Sequence, residues 1–348
     1  MHQSTCVIIL FGLCSALAAC DAAPTGDPTE PEAVASGAAG AGSPSTSLLA
    51  ASNSWATKRS LWPWRGGMKA GIINGVIYVV GGERQSQDPP FYVTTIARVD
   101  AYSVAANTWS QVASMPAARV DPNGASAING KLYVSGGWAT DHARMTRTLF
   151  VYDPATNHWT RKADMPLAGY GGIQGVIGGQ LYVYMSPNDP SKPNVLFRYN
   201  PATNSWVSRA SPPMSHRGGA GEVINGKFYL AGSSSLSVYN PASNSWATKA
   251  TPLAANRYAD AAAVLGGKLY LMAGSDAFSE GEGVPRVDAY DPLTNTWTTK
   301  APLPIGGARG TAAGVGGRVF YISGNVYQGV VQEQPWAPGP SEVYAYTP

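Results

Sequence analysis

What the chain lacks narrows its chemistry first. Its three cysteines, Cys6, Cys14 and Cys20, all fall within the first twenty residues, so the remainder has no disulfide, thiol nucleophile or thiolate metal site. Charge is sparse at 13%, and no Lys/Arg run of the kind that tracks a phosphate backbone occurs, which argues against a nucleic-acid partner. Signatures of nucleotide, metalloprotease and hydrolase chemistry (GxGxxG, the P-loop, HExxH, GxSxG) are missing, as are His/Asp clusters at metal spacing; no metal and no cofactor is expected. The one long apolar run, residues 6–19 (CVIILFGLCSALAA), is too short to cross a bilayer and stay there.

What is present is the material of short strands and tight turns. The 348 residues include 40 Gly and 27 Pro, and Tyr (18) and Trp (10) outnumber Phe (7). Four acids (Asp21, Asp27, Glu30, Glu32) and no base lie in the first fifty residues. That leaves 17 of the 21 acids against all 24 bases in the rest, a net of +7, which tilts the larger part toward anionic ligands.

The start of the chain reads as an address. Leu17-Ala18-Ala19-Cys20 resembles the lipobox of bacterial lipoproteins, which implies acylation of Cys20 and a membrane tether; the alternative is a secretory signal cleaved near Ala19. Its leading MHQST lacks the usual Lys or Arg. Residues 21–50, rich in Ala, Gly, Pro and Ser, hold too little apolar surface to offset their ordering entropy and read as a disordered spacer before a domain spanning 51–348. The expected location is outside the cytoplasm, in the cell envelope or secreted.

That domain is built on repetition. An Asn-Gly or Gly-Gly pair opens an apolar strand ending in small residues six times: at Asn74, Asn129, Gly178, Asn225, Gly266 and Gly316. Such pairs supply the positive φ of two-residue hairpin turns. A Tyr-bearing strand follows, and then Asn-x-Trp, ending at Trp109, Trp159, Trp206, Trp246 and Trp297. The sixth Asn-x-Trp is Asn53/Trp55, at the far end of the chain. Residues 239–249 read YNPASNSWATK; residues 346–348 (YTP) supply the head of that phrase and 51–58 (ASNSWATK) its tail. A unit split between the two ends implies that the ends meet. The expectation is an all-β, six-bladed β-propeller with four antiparallel strands per blade, closed by the strand around Trp55 and, with no free sheet edge, monomeric. The aspartates of the Tyr-Asp-Pro turn, Asp153 and Asp291, read as structural.

From Trp55 to Pro348 this repeat resembles the Kelch motif, with blades 3 and 4 degenerate. Arginines recur after the Pro of each inter-blade link, at Arg65, Arg119, Arg217, Arg257 and Arg309, with Tyr170 in the corresponding stretch of blade 3. The resemblance implies a ring of guanidiniums at the channel mouth holding an acidic peptide or protein, or a carboxylated sugar. The competing reading makes them inter-blade struts bonding neighbouring carbonyls. Lys69 and Glu222 interrupt otherwise small inner strands at even offsets from their turns and should share a face; Glu222 beside Arg217 could act as general acid/base, or be a neutralised carboxylate.

Two Kelch-like enzymes offer comparisons. The galactose-oxidase type is excluded by the absence of Cys from the domain. The sialic-acid mutarotase type is similar in fold and in its Arg and acidic residues, which makes a mutarotase or epimerase the alternative to a binding module; a purely structural envelope role is the third reading. The loops 83–95, 138–148, 187–194, 275–285 and 328–340 should share one face, where Phe91, Tyr92, Trp138 and Trp336 either meet a partner or pack on one another.

Overall fold

A computed structural model describes residues 52–85, 93–140, 142, 144–186, 193–216, 218–232, 234–253, 261–275, 283–324 and 341–348. Six four-stranded antiparallel sheets are arranged as a ring. Blade 1 runs Lys69–Ile73, Val76–Val80, Val99–Ser103 and Thr108–Val112; blade 2 runs Gly124–Ile128, Lys131–Ser135, Leu149–Asp153 and His158–Lys162. Blades 3, 4 and 5 repeat the order from Ile173, Ala220 and Ala261. In blade 6 the strands Thr311–Val315, Arg318–Ile322 and Ser341–Thr347 are completed by Ser54–Leu61. That fourth strand lies antiparallel to the third, with Trp55 opposite Tyr346. First strands neighbour one another in sequence, and that of blade 6 returns to that of blade 1. The expected closure is therefore the observed one.

The local chemistry explains the repeat. All six hairpin turns hold two successive residues at positive φ, as at Asn74 (50°) and Gly75 (78°), so the strands stay in register without splay. The second and third strands are almost wholly buried, and the fourth turns polar residues outward. Aromatic residues fill the space between sheets, with one tilted Tyr–Trp pair per blade at centroid distances of 4.8–5.1 Å.

The Asn-x-Trp element does more than pack. In every blade the Asn Oδ1 accepts from the Tyr hydroxyl five residues earlier in the motif, as Tyr152 to Asn157 at 2.8 Å. The same oxygen accepts a backbone N–H from the preceding blade, and the Trp indole donates to a carbonyl there: Ala113 N to Asn157 and Trp159 Nε1 to Ala113 O, at 2.8 and 2.7 Å. Six such clasps stitch the ring, including Asn53 and Trp55 to Ala301 across the termini. The Asn sits at φ near 50° in all six, a backbone setting it tolerates better than most residues. Asp153 and Asp291 pair with Lys131 and Lys268 and accept turn N–H groups, in keeping with a structural role.

Candidate functional site

Arg65, Arg119 and Arg309 each enter between the fourth strand of one blade and the first strand of the next. The double glycines make room for these links: Gly82 N donates to Arg119 O at 2.8 Å, and a Cβ on Gly81 would lie 2.3 Å from that carbonyl. In the blade 6 link the equivalent acceptor is Gly307 O, from Gly274 N at 3.2 Å, so Arg309 lies two residues further along than Arg119.

Arg65 is fully buried in blade 1. Its Nη2 meets Asp100 Oδ2 at 2.7 Å and donates to Val79 O at 3.3 Å. Arg98 grips the same carboxylate through Nε and Nη2. Burial pushes the Arg65 pKa down to about 10, with Asp100 pulling against it, so the group stays charged at neutral pH. Arg309 donates to Glu83 and, at 3.0 Å, to Asp121 Oδ2, while its carbonyl accepts from Gly67 N; it thereby ties together the links of blades 6, 1 and 2. Burial works against its charge, but Asp121 and Glu83 outweigh it and raise its pKa. His142 Nε2 lies 2.6 Å from the other Glu83 oxygen.

Arg119 has no such carboxylate. It is 5% exposed, donates to Ala118 O at 2.6 Å and Thr148 Oγ1 at 3.1 Å, and lies 5.5 Å over the Phe150 ring. Its Nε has no partner among the described residues. Burial lowers its pKa, and the charges of Arg144 and Arg161 add to that. Phe150 is the second residue of its strand, as Asp100 is in blade 1, so the ring stands where blade 1 places the counterion.

The guanidinium opens into a cleft of about 770 Å³ whose walls include Arg144, Arg147, Arg161, Met145 and Pro116. Arg161 engages both oxygens of Asp164, the acid on this wall. Arg144 and Arg147 are exposed and have no carboxylate partner among the described residues.

The expectation of five guanidiniums around one rim therefore gives way to three settings among the described residues: a buried strut (Arg65), a clamp between links (Arg309) and a cleft wall (Arg119). Arg217 and Arg257 lie outside the described residues, and with them the proposed proximity of Arg217 to Glu222. The signal that separates blades 1 and 2 was available in the strands VDAYS and LFVYD, as Asp against Phe.

Lys69 and Glu222 both line the central channel, from blades 1 and 4, amid Ala, Gly and Thr. The channel cavity of about 60 Å³ is large enough to hold water. The Glu222 carboxylate accepts one long bond, from Val223 N at 3.4 Å; burial pushes its pKa up to about 7, with that N–H opposing. Among the described residues no group of three or more His, Cys, Asp or Glu could hold a metal, and no helix is long and apolar enough to cross a membrane. Trp138 packs on Tyr170 and His142, at centroid distances of 4.8 and 5.9 Å; Phe91, Tyr92 and Trp336 lie outside the described residues.

Known proteins match this picture. The Kelch motif is found at residues 65–116, 122–166 and 258–304. Kelch repeat and BTB domain-containing protein 12 of Homo sapiens is 30% identical over 120 residues, 32% of this chain and 19% of that protein. Kelch-like protein terF of Aspergillus terreus is 35% identical over 100 residues, 28% of this chain and 21% of that protein. The matches thus span about a fifth of these relatives. The solved structure of YjhT superposes with a TM-score of 0.64 at 16% identity, covering 82% of this chain and 95% of that one, a likeness of fold. Three matched motifs, six closed blades and the clasp repeated in each agree: the chain carries Kelch motifs on a six-bladed β-propeller.

Proposed function

We propose that the protein is an exported, membrane-tethered binding module that grips an acidic protein or peptide, or an anionic glycan, on the face carrying its inter-blade links. The observation that carries this is Arg119, a guanidinium with no carboxylate partner among the described residues, lining a cleft with three further arginines and one, already paired, acid. A buried charge without a counterion costs stability, and an anion from outside offsets that cost. The tether rests on the lipobox-like sequence ending at Cys20; mass spectrometry of the mature N-terminus should find an acylated Cys20, and an unmodified one would leave the protein secreted.

Thermal unfolding of the full chain against acidic peptides and acidic sugars tests the binding. A ligand at 100 times its Kd stabilises by about 2.7 kcal/mol. The shift should vanish in Arg119→Ala; a shift that persists there places the site elsewhere.

Mutarotation or epimerisation of a carboxylated sugar is the second reading, favoured by the channel position and raised pKa of Glu222, with Arg217 as anion anchor. Anomer interconversion followed by NMR, lost in Glu222→Gln, is its test; no acceleration by the wild type removes it.

A further inference from the structure

Resting on the reading that the blade 2 cleft takes an anion, we infer that the anion is a phosphomonoester dianion carried on a compact apolar body. Blade 1 supplies the measure. There one carboxylate, Asp100, meets two guanidiniums: Arg65 takes Oδ2 through Nη2, and Arg98 takes both oxygens through Nε and Nη2. In blade 2 the carboxylate on hand, Asp164, is held by Arg161 through both oxygens. Arg119, Arg144 and Arg147 remain without a carboxylate among the described residues, one guanidinium more than a single carboxylate serves in blade 1. A phosphomonoester brings about −1.5 to −2 charge and three terminal oxygens, each able to take a guanidinium N–H.

The placement of these arginines in the chain agrees with the count. Arg119 comes from the link, Arg144 from the two-residue strand Arg144–Met145 that pairs with Trp138–Ala139, and Arg147 from the segment leading to the third strand. Donors lining one cleft from two segments, the link and residues 144–147, suit a tetrahedral group, whose oxygens point apart, better than a planar carboxylate with its lone pairs in one plane. The remaining wall is apolar, with Phe150, Met145, Pro116 and Ala168, and about 770 Å³ is far more than a bare phosphate fills. The ester's body lies on that wall.

Two sources share this chemistry, a phosphorylated side chain and a free small phosphate ester, and the test separates them. Calorimetric titration of the full chain in mild detergent would use phenyl phosphate, a phosphoserine tripeptide, inorganic phosphate, benzoate and a di-glutamate peptide. The expected result is binding of an ester at least tenfold tighter than benzoate, the di-glutamate peptide and inorganic phosphate. Arg147→Ala, on an exposed residue whose loss leaves the fold intact, should weaken ester binding at least tenfold with an unchanged Tm. Tighter binding of phenyl phosphate assigns a small ester, and tighter binding of the tripeptide a phosphorylated side chain. Equal or tighter binding of benzoate or the di-glutamate peptide overturns the phosphate assignment and leaves the anion-gripping reading standing. Inorganic phosphate binding as tightly as either ester overturns the apolar body. No binding by any probe removes both readings.

Discussion

Blades 1 and 2 carry an arginine at the same place in their links and treat it oppositely. In blade 1 the second residue of the third strand is Asp100, and Arg65 is locked against it with no exposure at all. In blade 2 that residue is Phe150, and Arg119 lies over the ring, facing a cleft. One side-chain difference, carboxylate against phenyl, leaves the same repeat position ion-paired in one blade and without a carboxylate in the other. Within a repeat fold, then, function is to be sought where the repeat's internal partner is missing. A motif residue that keeps its counterion in its own blade already has its charge balanced.

The largest effect should come from breaking the blade 1 pair. Asp100→Ala strands Arg65, and in part Arg98, and should cost about 3–5 kcal/mol by chemical denaturation, the range for uncompensated buried charges. Replacing both partners, Arg65→Met with Asp100→Leu, should recover most of that. Recovery failing to appear would mean that Asp100 holds the blade through Arg98 instead.

Next comes the exchange of blade identities. Phe150→Ala should cost about 3–5 kcal/mol through the cavity it leaves. Phe150→Asp should cost less, because Arg119 gains its blade 1 counterion, and it should abolish anion binding. If Phe150→Asp proves the more damaging of the two, position 150 is not the equivalent of position 100 in energetic terms.

Arg119→Ala should cost less than Arg65→Ala in stability, since its charged guanidinium bonds only neutral acceptors, at about 1.5–3 kcal/mol each, strands no carboxylate when removed, and is disfavoured by burial. Its main effect should be on ligand-induced Tm shifts. Equal destabilisation by the two variants would erase the distinction drawn between the blades.

Glu222 of blade 4 shows a third fate for an enclosed charge. It has neither an ion-pair partner among the described residues nor an open cleft, and its carboxyl is pushed up to about 7 from an ordinary 4.5. The folded state therefore holds its proton in a window where the unfolded chain has lost it. Stability should fall as pH rises from about 4.5 to about 7, and Glu222→Gln should flatten that slope in urea titrations at several pH values. A slope unchanged in the variant would assign it to other groups.

Much of the fold was legible in the residues because its signals are local and repeated six times. Asn-Gly and Gly-Gly demand positive φ wherever they stand, and the split phrase at the two ends could be completed only by pairing Trp55 beside Tyr346. The clasp was half legible. Trp and Tyr were readable as packing surfaces, but the Asn Oδ1 that joins a hydroxyl of its own blade to an N–H of the previous one involves residues more than thirty positions apart. The site was least legible. Arg65 and Asp100 are 35 residues apart, and Arg309 meets Glu83 from the opposite end of the domain; nothing in the spacing of arginines says which of them finds an acid.

The sequence by itself determined the blade count, the turns, the strand polarity and the closure of the ring, because backbone sterics and side-chain alternation act over a few residues and do not depend on the surroundings. Only the tertiary structure decided which charges find a counterion within the fold and which do not. Ion pairing and desolvation depend on distances between segments far apart in the chain, and those distances exist only once the blades have packed.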